Sequence, residues 1–519
     1  MEYDYLIVGS GPGGVSAARQ LCYANTAILD VGYTPDRKFK HSKLSEALES
    51  GDMESLLGTN WETLDNIETG FNIHRKIKSA DLRYVMNGEI FRVYDSNGRF
   101  ITKGNGSYAK GGMANVWGAQ LLKYNKKDLD EVNGWPISIN ELEAYYTELE
   151  DHIGISGVND DMSQFLGESD NLLPPVELSI TSKYLLNNYN LLKAAKPDIG
   201  IKVGRARVAV STVDRNGFAK YKAGSTEFFK PTGEGIYNPK NTLDSLIQNK
   251  SISYFSNQKL IKYKEFEDYV EIITTNNKNE YNHYKTKHLL LACGTIQTAK
   301  LVLMNEQLTN ARINFVDHPP ILLPFIFPKC IGNIINNDYF PIQLTATLNN
   351  KRDMISLYHP AGMMKTENLL QLPIPLNLSK NVLSLLLNSM LIAQIWETST
   401  ENNGCLYLDD NCDICIKYPY PKKNNIFKLI YLMFQMGGIT VPNLASRYPP
   451  TWGYHHAGTL PMSLEPGLLQ THTDGRLWKY KRIRVIDGSV LPSLPAKNHS
   501  LTLMANSARI ADLTKKCGY

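Results

Sequence analysis

Tyr5-Leu6-Ile7-Val8-Gly9-Ser10-Gly11-Pro12-Gly13-Gly14 is the stretch whose reading decides the fold. An apolar run rich in strand formers leads straight into a glycine-rich turn, and Val15 to Ala24 continues with helical periodicity. A second short run, Thr26-Ala27-Ile28-Leu29, ends in Asp30, roughly 20 residues beyond the first glycine. Strand, tight turn, helix, strand and acidic residue in this order predict a dinucleotide-binding βαβ unit. Gly9 would permit the tight turn, Gly11 would let main chain approach a pyrophosphate, and Gly14 would let helix and strand pack closely. Ser10, Pro12 and Gly13 complete the turn, and the helix N-terminus would supply free N–H groups and a positive dipole. Asp30 is placed to accept hydrogen bonds from the ribose hydroxyls of an adenosine half, which NAD and FAD share.

The remaining composition narrows the class. The chain has 519 residues, 43% hydrophobic and 20% charged, which describes a folded protein with a large core, and its length allows about three domains. Fifty-five basic residues against 51 acidic ones leave a net charge of +4 without any block of like charges, which argues against nucleic acid as a partner. Seven scattered cysteines do not form the dense even framework of a small secreted domain. Together with an opening MEYDYLIVGSG that lacks a basic and then apolar leader pattern, they lead us to expect a cytoplasmic protein. The longest apolar stretches, Asn381 to Trp396 and Ile426 to Met436, are shorter than the roughly 20 residues of a bilayer span. Buried core segments are expected there, with room left for peripheral contact with a membrane or a lipid-linked substrate.

Further motifs must return to the same ligand. Lys110-Gly111-Gly112-Met113-Ala114-Asn115-Val116-Trp117-Gly118-Ala119 is a second glycine-rich stretch, where main chain can approach a ligand. Leu289-Leu290-Leu291-Ala292-Cys293-Gly294-Thr295 reads as a buried parallel strand, a small-residue turn and the start of a helix. Near the end, Tyr454-His455-His456-Ala457-Gly458-Thr459 precedes a strand, Ile483 to Asp487, that runs into Gly488-Ser489-Val490-Leu491-Pro492. Pro495-Ala496-Lys497-Asn498-His499-Ser500-Leu501-Thr502 then opens a final helix reaching about Lys515, with Asn498 or Ser500 expected as its N-cap. That N-terminus too would direct N–H groups at an anionic ligand.

Taken in order, these motifs resemble the glucose-methanol-choline (GMC) oxidoreductases, FAD-dependent alcohol-oxidising flavoproteins, over nearly the whole chain. The resemblance rests on the N-terminal turn with Asp30, GGMANVWGA, LLACGT, Asp317-His318-Pro319, HHAGT, VIDGSVLP and PAKNHSLT. GGMANVW and the segment from Asn133 to Tyr146 resemble the bacterial, pyranose-oxidising branch. The resemblance implies an α/β fold in which a Rossmann-like FAD domain is built from residues 1–150, 225–310 and 445–519. A substrate domain around an antiparallel sheet would come from 151–224 and 311–444. FAD contacts are expected at Gly9, Ser10, Gly11, Pro12, Gly13, Gly14, Asp30, Gly111, Gly112, Asn115, Val116, Trp117, Cys293, Gly294, Asp487, Gly488 and Thr502. Val116 stands where pyranose-oxidising relatives carry the histidine that attaches FAD, so non-covalent FAD is implied. Leu460-Pro461-Met462 replaces the Thr-Arg-Met of many bacterial members, and His499 stands where sugar-oxidising relatives often have proline.

The implied reaction moves a hydride from a primary or secondary alcohol, on a sugar, glycoside or polyol, to flavin N5, giving a carbonyl. The partners would be that alcohol and an electron acceptor. The hydroxyl proton must be removed, and histidine suits the task near neutral pH. By the family pattern the base is His455, with His456 pointing elsewhere, and the second active-site residue is Asn498 or His499, with Asn498 favoured. His318 is expected to be structural, and Cys405, Cys412 and Cys415 to be hairpin residues without a metal. Two alternatives remain on this fold. One is a flavin-binding partner subunit without turnover, towards which the absent Thr-Arg-Met leans; the other is a non-redox lyase.

Overall fold

A computed structural model describes residues 1–34, 83–132, 134–215, 218–221, 235–332, 339–348, 351–360, 386–399, 403–419 and 426–517. Asn133, the first five residues of the Asn381 to Trp396 run, and parts of the expected domain segments lie outside them.

The expected βαβ unit is present as β1 (Glu2–Val8), α1 (Pro12–Leu21) and β2 (Thr26–Leu29). β1 pairs in parallel with β2 on one side and with β9 (Tyr281–Leu291) on the other, so Ile7 lies between Ile28 and Leu290. β6 (Ser253–Phe255) extends the sheet from β2, and β18 (Ile483–Val485) extends it from the end of β9, all in parallel. The first half of β9 carries an antiparallel pair, β8 (Val270–Thr275) and β7 (Lys259–Glu265). Leu6, Ile7, Ile28 and Leu289 to Leu291 are wholly buried, as unbroken apolar runs are when both faces of a parallel sheet are covered. Strand order reverses between β1 and β9, which opens a crevice beyond their carboxyl ends.

Among the described residues, six further helices of nine or more residues accompany this frame. The C-terminal α7 (Ser500–Lys516) packs on α1, with Ser507 Oγ donating to the Gly13 carbonyl at 2.6 Å. α2 (Asn140–Ile153) lies against α7 and is tied to it by Tyr145 Oη donating to Asp512 at 2.9 Å. α4 (Pro239–Gln248) begins at Asn238 and packs near α1, and α5 (Thr295–Asn305) follows β9 through Gly294. α3 (Ile180–Ala195) and α6 (Phe427–Gln435) belong to a second layer.

That layer is a wholly antiparallel sheet in the order β17 (Ser446–Arg447), β11 (Ile321–Ile326), β14 (Met390–Trp396), β13 (Lys351–Tyr358), β12 (Ile342–Leu348) and β5 (Ile201–Arg205). Side chains alternate along its strands. Leu391, Ala393 and Ile395 join the apolar core with residues of α3 and α6, while Ile392, Gln394 and Trp396 face the cavity described below. The Ile426 to Met436 run is half core: Leu429, Leu432, Met433 and Met436 are buried, while Phe427, Tyr431 and Phe434 are exposed on the outer face of α6. Among the described residues no helix is long and apolar enough to cross a membrane.

A third sheet runs β10 (Ile313–Phe315), β15 (Gly404–Leu408), β16 (Ile414–Lys417), β3 (Ile90–Tyr94) and β4 (Phe100–Asn105). β15 and β16 form the hairpin expected around the cysteines, with Cys412 in its turn at φ 60°. This sheet joins residues 90–105 to residues 313–315 and 404–417, and so draws on both sides of the expected division of the chain.

Two glycines at the first turn are indispensable for geometric reasons. Gly9 has φ 104°, and a Cβ on Gly14 would lie 1.9 Å from the Gly9 carbonyl oxygen. Gly14→Ala should therefore destabilise the fold by about 1–3 kcal/mol or more, read as a lowered urea midpoint. A Cβ on Gly11 would meet no protein atom within 4 Å, so Gly11→Ala should leave that midpoint unchanged while weakening dinucleotide binding.

Candidate active site

A cavity of about 690 Å³ runs along the carboxyl ends of β1, β2 and β9. At one end lie Gly9 to Gly13 and Asp30; at the other lie Trp396, His455, Asn498 and His499.

The first end is built by the glycine turn. α1 starts at Gly11 without a side-chain cap, so its first-turn N–H groups remain for an anionic ligand. Ser10 Oγ donates to Asp30 Oδ2 and accepts from the Gly111 N–H at 2.9 Å, which locks the second glycine stretch to the first. Tyr254 Oη also donates to Asp30 Oδ2, at 3.2 Å, while burial pushes the Asp30 carboxyl up to about 6. The open space over Gly11 and the acceptor at the end of β2 fit the ADP half of a dinucleotide.

Most residues expected around FAD line this cavity: Gly9, Ser10, Gly11, Pro12, Gly13, Asp30, Gly112, Val116, Trp117, Cys293, Gly294, Asp487 and Gly488. Four expected contacts stand behind the wall instead. Gly14 packs on Gly9, and Gly111 adopts the left-handed turn at φ 88°. Asn115 spends its amide on the carbonyls of Lys110 and Gly112 and accepts from Asn238, so it clamps that turn. Thr502 is buried against α2, its hydroxyl 2.7 Å from Tyr146 Oη. Asp487 lines the cavity, but its oxygens accept from the Ser489 and Gly294 N–H groups, each at 2.9 Å, and from Thr298 Oγ1 at 2.5 Å, so it also ties β18 to α5.

At the other end, Asn498 Nδ2 lies 3.2 Å from His455 Nε2. His455 stacks on the Trp396 ring, 4.3 Å between centroids and 28° between planes. The His499 ring meets His455 edge-on at 5.1 Å. Asn498 Oδ1 and His499 Nδ1 are buried without a hydrogen-bond partner among the described residues. The expected N-cap is not made: α7 starts at His499 with helical backbone and no side-chain cap, and the Asn498 Nδ2 group is turned to His455. His456 Nε2 lies 3.1 Å from the Thr451 carbonyl and its ring packs on Phe315, although the residue also lines the cavity.

His318, which the sequence suggests is structural, places its Nε2 2.7 Å from His455 Nδ1. The two residues are 137 positions apart, so no local spacing could announce the pair. Trp396 was also missed, because it sat inside a run read as core. The Asp-His-Pro turn was the one visible signal for His318.

Burial holds these rings neutral. It depresses His318 and His456 to about 4 and His499 to about 3. His455 lies well below its ordinary value, through burial first and the neighbouring histidines second. Between the ordinary value near 6.5 and about 4, the unfolded chain takes up protons that the folded one refuses, so stability rises with pH in that window. The urea midpoint should therefore fall as pH is lowered from about 6.5 to about 4. The buried Asp30 and Asp317 carboxyls, pushed up to about 6 and about 7, act in the opposite direction, so the His456 contribution is the part of the fall that a His456→Gln variant loses.

Residues 447–507 match the family model described as GMC oxidoreductase, a segment that contains His455, Asp487 and Asn498. No curated protein sequence matches the chain. Among solved structures, pyridoxine 4-oxidase from Mesorbium loti is similar with a TM-score of 0.61 and 11% identity, covering 98% of this chain and 99% of that one. Formate oxidase from Aspergillus oryzae RIB40 is similar with a TM-score of 0.58 and 11% identity, covering 100% of this chain and 98% of that one. At such identity these two likenesses speak for the fold alone. The family match thus falls on the segment that carries the histidines, within a fold shared along almost the full length of these two oxidases.

Proposed function

We propose that the protein is an FAD-dependent oxidoreductase that converts the CH–OH group of an alcohol to a carbonyl, with His455 as the general base. The observation that carries this reading is the convergence of His455 Nε2 and Asn498 Nδ2, 3.2 Å apart, at the far end of a cavity that begins at the dinucleotide turn. Bound there, FAD supplies the two-electron acceptor. Gly9 to Gly13, Asp30, Gly112, Val116 and Gly294 would hold it. Val116 offers no atom for a covalent link, and burial pushes the Cys293 thiol up to about 12, which keeps it unreactive. Both favour non-covalent FAD.

Near neutral pH the uncharged His455 can accept the hydroxyl proton at Nε2 as the C–H bond is broken. Asn498 Nδ2 can donate to the same oxygen and hold it against the base. Tyr358, Trp396, Tyr448, Trp452 and Tyr454 wall the substrate end, and Gln394 Oε1 there is unpartnered among the described residues. Aromatic faces that take C–H surfaces, together with an amide oxygen that takes a hydroxyl, suit a sugar, glycoside or polyol. No disulfide joins the seven cysteines, and a reducing, cytoplasmic location is proposed with them.

The purified protein should be yellow and release FAD on acid denaturation. An anaerobic panel of sugars, nucleotide sugars and lipid-linked alcohols should contain one that bleaches the flavin absorbance. His455→Ala should keep its flavin and lose that bleaching by at least about 10²-fold. Reduction at an undiminished rate in this variant would sink the assignment.

A further inference from the structure

We propose that His318 is a positioning residue that fixes the tautomer of His455, keeping the lone pair of Nε2 on the Asn498 side, and that it stabilises the charge His455 acquires with the substrate proton. This rests on the reading of His455 as the base.

The main chain sets the two rings side by side. Val316 and Ala457 form an antiparallel bridge, with N–H to carbonyl distances of 2.9 and 3.0 Å in the two directions. Two residues on along one strand and two back along the other are His318 and His455, which such a register places opposite each other on one face. The turn after Val316 is anchored at several points. Asp317 Oδ2 accepts from the Thr451 N–H at 2.6 Å, and the Asp317 carbonyl accepts from Tyr418 Oη at 2.6 Å. Arg447 donates to the Pro319 carbonyl at 3.2 Å and pairs with the Glu397 carboxylate at 2.7 Å.

The proton positions then follow by elimination. The Glu397 carbonyl can only accept, so His318 Nδ1, 3.1 Å away, must carry a hydrogen and donate to it. A neutral imidazole has one N–H, so His318 Nε2 is bare and accepts from His455 Nδ1 across 2.7 Å. His455 Nε2 is thereby left without a hydrogen, and the Asn498 amide donates to it. Trp396 holds the ring plane by stacking on His455, and the next residue, Glu397, presents the carbonyl that starts the chain. When Nε2 takes the substrate proton, His455 becomes doubly protonated, and its Nδ1–H bond to His318 strengthens because the donor now bears charge. No other group changes its proton count. The titratable groups around the pair are His456 and His499 beside His455, the Asp317 carboxyl on the same turn, and the Arg447–Glu397 ion pair.

The test compares native FAD-bound enzyme with His318→Gln and His318→Leu. Glutamine can accept from His455 through its oxygen and donate to Glu397 through its amide; leucine can do neither. Proton–nitrogen correlation spectra of histidine-labelled protein, assigned with His455→Gln, should show His455 protonated at Nδ1 in the native enzyme and in His318→Gln, and a tautomer mixture in His318→Leu. Flavin reduction should slow roughly ten- to a hundredfold in His318→Leu, with its pH midpoint moved and KM nearly unchanged, and should recover most of its rate in His318→Gln. Protonation of His455 at Nε2 in the native enzyme, or an unchanged rate and pH profile in a folded His318→Leu, would overturn the proposal. Should His318→Leu fail to fold, the native spectrum decides. The tautomer is read without turnover, so a protein that no alcohol reduces still tests it separately from the function.

Discussion

Everything in this molecule depends on how closely main chain approaches main chain at the first turn. β1, the start of α1 and the end of β9 meet where only hydrogen atoms fit: a Cβ on Gly9 would stand 2.3 Å from the Ala292 carbonyl oxygen, and one on Gly14 1.9 Å from the Gly9 oxygen. That contact aims α1 across the sheet at the point where strand order reverses. α7 then crosses α1 at Gly13, where a Cβ would stand 3.3 Å from Leu503 Cδ2 of α7 and 2.8 Å from the Ile486 carbonyl oxygen just beyond β18. The helix that begins at His499 and Ser500 is thus registered against the dinucleotide turn through glycines almost 500 residues away in sequence.

The far end of the cavity obeys a different rule. Its wall is one face of an antiparallel sheet, and the alternation along β14 sends Ile392, Gln394 and Trp396 inward while Leu391, Ala393 and Ile395 bind the sheet to its helices. A slip of one residue would exchange the two sets. His455 comes from the C-terminal part of the chain, but the ring stacked on it and the carbonyl behind His318 come from the end of β14. The geometry of the histidine is therefore set jointly by the two layers.

Burial is the electrostatic counterpart of this arrangement. Four buried imidazoles lie together; burial disfavours charge on each, and His455 is further disfavoured by His318, His499 and His456. A base in such a place is uncharged at neutral pH and able to take a proton, but the charge it gains needs partners. The bond to His318, itself anchored to a main-chain carbonyl, provides one.

The sequence by itself determined the βαβ unit, the strand at Leu289 to Leu291, the hairpin at the cysteines and the segment holding His455 and Asn498. In each the signal is local: strand and helix periodicity, glycines at fixed offsets, turn residues between apolar runs. Asn115 hydrogen-bonds within the second glycine-rich stretch, while the Gly111 N–H ties that stretch to Ser10 of the first. Thr502 is half a helical turn beyond Ser500, and the helix rotates it towards Tyr146 instead of the cavity. Only the tertiary structure decided that His318 and Trp396 surround His455, because that meeting depends on a bridge between Val316 and Ala457 and on the face presented by β14. Spacing along a chain encodes what a helix or strand does to its neighbours; which distant strands share a face follows from packing of whole layers, and no local pattern carries it.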